Sequence, residues 1–194
     1  ANKVFVETDG SFVVLGSGTG YHGSTTGSYD VIAQKFSSTG QPVAGWGQGG
    51  DSFFTGLMGI SWFNHQPSSD YEVVLDAVRQ ADGKFLVLEA YGPGANKLAL
   101  SRITAQGQLD TSFGSNGYIE VYQYASTDTY RPGSLAISGS QIDVQSRNDT
   151  FYFNLATGSL LSQQVAPLSS SQGGSTSIDP SIPICFLKGT NVNL

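Results

Sequence analysis

Antiparallel four-stranded β-sheets of propeller-blade size, too few in this chain to close a ring, are the all-β fold that the sequence predicts. Three observations predict it. The 194 residues are 39% apolar and 11% aromatic, which disordered chains are not, yet 25 Gly and 26 Ser make about a quarter of the chain turn-forming. A block of sequence recurs, the mark of a repeated supersecondary unit. Short apolar or alternating runs are punctuated by Asp-Gly, Gln-Gly and Gly-Pro-Gly, and no capped stretch with an apolar stripe at helical spacing occurs.

The repeat sets the order of the elements. Glu7-Thr8-Asp9-Gly10-Ser11-Phe12-Val13-Val14-Leu15 aligns with Gln80-Ala81-Asp82-Gly83-Lys84-Phe85-Leu86-Val87-Leu88, 73 positions later. Phe36 to Gly50 then aligns with Ile103 to Gly117, 67 positions later, so the first copy carries six extra residues between its blocks. They fall in the Gly/Ser/Thr tract 16–29, an enlarged loop, because insertions collect on connections while strands keep their length. In the second copy residues 71–79 are β-branched and apolar, Asp82-Gly83 is a hairpin turn, and 84–89 return. Residues 97–104 alternate Leu98, Leu100 and Arg102 against Ala99, Ser101 and Ile103, 109–117 form a tight connection, and 118–124 alternate again. Four short strands in about 50 residues make one blade-sized sheet. A worn third copy follows at 134–160, without the Asp-Gly turn or the aromatic-Gly connection. The repeats are thus expected at 4–56, 71–124 and, degenerate, 130–161, with 56–66 an apolar inter-blade segment.

The Asp-Gly turn, apolar return strand and Leu109-Asp110-Thr111-Ser112-Phe113-Gly114 followed by Gly117 resemble the delta-sixty repeat, found in tandem in large secreted bacterial proteins. The first copy keeps the aromatic and Gly, as Trp46-Gly47, but has Val43 where the second has Asp110. The resemblance covers about residues 4–124 and implies a β-propeller unit in an extracellular setting, and no reaction.

Charge narrows the function classes. Nine Lys+Arg against 15 Asp+Glu, a net charge of −6, cannot assemble the basic stripe that nucleic acid requires. No apolar run approaches the roughly 20 residues of a membrane span, and no charged head with an apolar signal core opens the chain. An Ala1-Asn2-Lys3 start suits a chain whose signal peptide is gone and suits an arbitrary boundary equally. One cysteine, Cys185, forbids an intramolecular disulfide or a cysteine zinc cluster, and with His22 and His65 the only histidines no metal site or cofactor is expected.

Local motifs carry little chemistry. Asp110, Ser112 and Asn116 put oxygens in a Gly-punctuated loop but lack the acids of a calcium site, so Asp110 is expected in an Asx-type turn with Phe113 anchored beneath it. Asp9 and Asp82 are hairpin-turn residues by the same logic. Gly16-Ser17-Gly18-Thr19-Gly20 has neither the spacing nor the following helix of a dinucleotide loop, and the histidines sit beside no nucleophile motif. Loop aromatics are the better lead. Tyr21, Trp62 and Tyr91 are the candidates, since an exposed aromatic face beside Asn, Asp or Gln would suit stacking on a sugar ring. Asn148-Asp149-Thr150 is an N-glycosylation sequon.

Residues 162–181 are a Ser/Gly-rich linker, and a new apolar segment occupies 182–194. There Cys185-Phe186-Leu187-Lys188-Gly189-Thr190-Asn191-Val192 resembles the first strand of a Hint, or hedgehog/intein-type, self-processing module. The resemblance implies that Cys185 would attack the Ile184–Cys185 peptide bond and form a thioester, given a complete module downstream. Three functions are therefore carried forward: a non-enzymatic secreted or surface structural or binding module, the N-terminal segment of a self-processing precursor, and a carbohydrate-binding propeller. The expected partners are proteins or further copies that complete a ring of blades, and glycans under the third function.

Overall fold

The computed structural model describes residues 2–19, 29–47, 60–63, 72–123, 133–147 and 149–165. They form three separate four-stranded antiparallel meanders, with no barrel closure among them. The first sheet is β1 (Lys3–Val6), β2 (Phe12–Thr19), β3 (Tyr29–Phe36) and β4 (Ile60–Phe63). The second is β5 (Val73–Arg79), β6 (Phe85–Tyr91), β7 (Lys97–Ile103) and β8 (Tyr118–Gln123). The third is β9 (Ser134–Ser138), β10 (Gln141–Ser146), β11 (Asp149–Asn154) and β12 (Leu160–Gln164). A single 3₁₀ turn, Pro93–Ala95, joins β6 to β7. None of the described helices is long and apolar enough to cross a membrane.

The repeated turns fold alike because their sequences demand it. In both β1–β2 and β5–β6, a glycine at φ near +80° follows an aspartate, Gly10 at 81° and Gly83 at 85°. That left-handed position closes a hairpin whose Glu7 and Gln80 amides donate to Ser11 and Lys84 carbonyls at 2.7 and 2.8 Å. The aspartates serve as expected: Asp9 accepts the Ser11 amide at 2.9 Å and Asp82 the Lys84 amide at 3.2 Å.

Two strand placements correct the sequence expectation. The segment 56–66, expected to connect blades, contains β4, which pairs with β3 through Ile32–Trp62 and Val31–Phe63. The repeat offset fails there because Gly47 and β4 are 13 residues apart, whereas Gly114 is only four residues before β8. The worn third copy is a complete four-stranded sheet, and its last strand runs to Gln164, past the boundary expected at 161.

The sheets stack face to face around two cores. Val13, Leu15, Val31 and Ala33 of the first sheet meet Ala77, Phe85, Val87 and Ile103 of the second. Leu86, Leu88, Leu98 and Leu100, on the opposite face of the second sheet, meet Leu135, Ile142, Val144, Phe151 and Phe153 of the third. Every residue of β6 is therefore buried, which its unbroken run Phe-Leu-Val-Leu-Glu-Ala-Tyr requires. Each large apolar side chain so buried contributes about 1.5–3 kcal/mol.

Strand β5 ties all three sheets together. Val74 accepts the Asn2 side-chain amide at 2.7 Å and donates its own N–H to Ser17 Oγ at 2.7 Å. At the β5 bulge, Asp76 pairs with Lys3 at 2.7 Å and accepts the Leu135 amide of the third sheet at 2.9 Å. Glu7 and Arg79 form a second partly exposed pair between the first two sheets at 2.6 Å. Its partners are 17% and 36% exposed, so Glu7→Gln is expected to cost under about 1 kcal/mol in urea unfolding, a difference that fades in 1 M salt.

Candidate functional site

The Leu109 to Gly117 connection builds a clamp between the second and third sheets. Asp110 Oδ1 accepts the Ser112 amide at 3.2 Å and the Ser112 hydroxyl, the Asx-type turn expected of it. Asp110 Oδ2 accepts Arg102 Nε at 2.8 Å and lies 3.0 Å from Lys84 Nζ. Burial alone would raise this carboxyl. Hydrogen bonds from Ser112 and Lys84, with the Arg102 charge, outweigh that and hold it well below the usual carboxylate range. Both oxygens are occupied by protein donors, consistent with a structural turn instead of a calcium loop. No group of three or more metal-ligating side chains occurs among the described residues.

Arg102 carries the clamp across the junction. Its Nη1 donates to the Leu155 and Ala156 carbonyls at 2.8 and 3.1 Å, and its guanidinium lies 4.3 Å from the centre of the Phe113 ring. Phe113 is fully buried, and the Gly114 amide donates to Thr157 O at 3.0 Å. Sequence reasoning placed Arg102 on the correct face but gave it no role. The signal was there: one of only nine cations shares a strand face with Leu98 and Leu100.

The same contact occurs between the first and second sheets. Trp46 occupies the position of Phe113, and the Gly47 amide donates to Gln106 O at 2.7 Å as Gly114 does to Thr157. Trp46 Nε1 donates to Ala105 O at 2.8 Å. Ala105 is the counterpart of Ala156, the carbonyl that Arg102 satisfies at the other junction. An indole supplies ring and donor together, whereas Phe113 has no N–H and Arg102 supplies it. The first copy accordingly has Lys35 and Val43 where the second has Arg102 and Asp110.

Each aromatic rests on a glycine of the next turn. A Cβ on Gly107 would lie 2.8 Å from the Trp46 ring and 2.9 Å from Gly47 Cα, and one on Gly158 would lie 3.0 Å from Phe113. Gly40, the first sheet's counterpart of Gly107, has the same left-handed backbone, φ 79° against 81°, with nothing within 4 Å of an added Cβ. Gly40→Ala is expected to cost about 1–2 kcal/mol from the backbone alone. Gly107→Ala adds overpacking of roughly 1–3 kcal/mol, so its urea midpoint should fall clearly further. Equal losses would show that the aromatic contact is slack.

Between the second and third sheets lies an open cleft of about 660 Å³, lined by Gln80, Lys84, Arg102, Ser112, Asn154 and Ala156 among others. Of the three aromatics expected to bind ligand, Tyr91 is not among the described residues that line it. Tyr91 is corrected: it is 1% exposed, and its hydroxyl donates to Glu120 at 2.6 Å, so it offers no open ring face. Burial, the Glu120 hydrogen bond and nearby carboxylates push that hydroxyl far above the usual phenol range. Its polar surroundings come from the continuing β6 pattern, on which Phe85, Val87, Glu89 and Tyr91 share one inward face. Trp62 lies on β4 opposite Ile32. Tyr21, His22, His65, Asn148 and Cys185 lie outside the described residues. Asp30, Glu72 and Glu89 are buried acids that composition gave no reason to expect. A scan against protein-family models finds no match for this chain, and a comparison with curated proteins finds none either.

Proposed function

We propose that this chain is a non-catalytic, secreted or surface-exposed module built from delta-sixty-type blades, a structural or binding part of a larger extracellular assembly. The observation that carries this is the recurrence of one docking contact, an aromatic-Gly loop seated on the glycine turn of the next sheet, at both junctions. A chain whose most elaborate side-chain network joins sheet to sheet is specialised for stacking. The first strands β1, β5 and β9 are successive neighbours, which supports a radial arrangement of blades. Fractionating the producing cells tests the setting: recovery in the medium or on the surface, cross-linked into a larger complex, is expected. Confinement inside the cell as an uncomplexed monomer would overturn it.

A further inference from the structure

We infer that the outer face of the first sheet is a preformed docking surface for one further unit of the same kind, seated through its aromatic-Gly loop on the Gly40 turn. The inference rests on the stacking role proposed above and names the partner.

The internal repeat shows what belongs on this face. Val4, Phe12, Val14 and Phe36 are the counterparts of Ala77, Phe85, Val87 and Ile103, the second-sheet residues packed against the first sheet. In the first sheet the same face carries Val4 at 56% and Val6 at 69% exposure, with Phe12 and Phe36 stacked at 5.2 Å and partly exposed. The turn beside it is open as well. Gly107 and Gly158 are buried under Trp46 and Phe113, whereas Gly40 is exposed. Face and turn are thus open together, in the register in which they are filled at the two internal junctions.

The stack is asymmetric, and that identifies the occupant. The outer face of the third sheet carries Gln141, Asp143, Gln145, Thr150, Tyr152 and Asn154, the polar surface of a capping repeat. No aromatic-Gly pair follows β11. The chain holds three such pairs: Trp46-Gly47 and Phe113-Gly114 are engaged at junctions, and the third, Tyr91-Gly92, has its ring buried. A second copy docking its last sheet here would bring a polar face and no plug. Two copies meeting through their first sheets would leave both Gly40 turns empty. The fitting occupant is a unit with an apolar face like that of Leu86, Leu88, Leu98 and Leu100 and a Phe-Gly or Trp-Gly loop.

A fusion tests this: a second copy of residues 72–132 placed ahead of Ala1, with the whole chain retained. Amide exchange at Gly40 and Gln41 should slow by about tenfold or more relative to the unfused chain. Phe113→Ala in the added copy alone should abolish the slowing, as should Gly40→Ala. Unchanged exchange beside a protected added copy would overturn the inference, and so would an added copy that stays unfolded, because the face should supply the packing it needs. Sedimentation of the unfused chain should show a monomer. A dimer lost on Val6→Lys would assign the face to a second copy and overturn the inference too. These outcomes are independent of where the protein resides, so a failed docking test and a failed extracellular assignment remain distinguishable.

Discussion

Asp110→Ala is expected to destabilise the chain by about 3–5 kcal/mol, because it leaves the nearly buried Arg102 charge without its carboxylate. The two side chains are only 5% and 10% exposed and 2.8 Å apart. Alanine also removes the acceptor that fixes Ser112 and leaves Lys84 only its longer, 3.7 Å pair with Asp82. Arg102→Ala should cost at least as much, since it removes the donor to the Leu155 and Ala156 carbonyls and leaves Asp110 with Ser112 and Lys84 alone. Urea unfolding measures both. Losses under about 1 kcal/mol would mean that the pair is solvated and that the second and third sheets do not depend on it. The same carboxylate gives stability an acid limb. Its folded-state pKa lies below the ordinary value of 3.8, so between the two the unfolded chain binds more protons. The contribution is complete above the unfolded value and is lost as pH falls through the folded one. Asp110→Asn should therefore be less stable at neutral pH and lose less on acidification below about pH 4.

How legible this was in the sequence depended on whether a feature is local. The Asp9-Gly10 and Asp82-Gly83 hairpins, the strands of the second unit and the Asp110 turn follow from short-range chemistry and lie where the sequence placed them. The fourth strand of the first sheet did not, since the connection before it is longer than in the second copy and no periodicity marks four residues of Ile-Ser-Trp-Phe. Tyr91 misled because Gly92-Pro93-Gly94 resembles an exposed loop, while the tyrosine itself ends a strand buried on both faces. The clamp was the least legible element. Asp110 and Arg102 are eight residues apart, but the carbonyls that Arg102 reaches lie 53 and 54 residues away on another sheet. Only the stacking of sheets makes them one site.

Trp46→Ala should remove about 3–5 kcal/mol, since the indole is 8% exposed and fills the gap between the first sheet and the Gly107 turn. The more informative change is Trp46→Phe. It keeps a ring on the glycine and removes the donor at 2.8 Å from Ala105 O, leaving that carbonyl short of a partner at a cost of about 1–3 kcal/mol. The other junction shows how a phenylalanine is accommodated: Arg102 supplies the missing N–H and Asp110 holds the arginine in place. The equivalent positions are Lys35 and Val43, and the Val43 amide donates to Lys35 O at 3.0 Å just as Asp110 does to Arg102 O at 2.8 Å. Adding Lys35→Arg and Val43→Asp to Trp46→Phe should therefore recover about 1 kcal/mol or more, while in the presence of Trp46 the same pair should bring no gain, because Ala105 O is already satisfied. Urea midpoints of the four proteins give the coupling directly. A triple variant no more stable than Trp46→Phe would mean that the two junctions share a backbone contact but not an interchangeable donor.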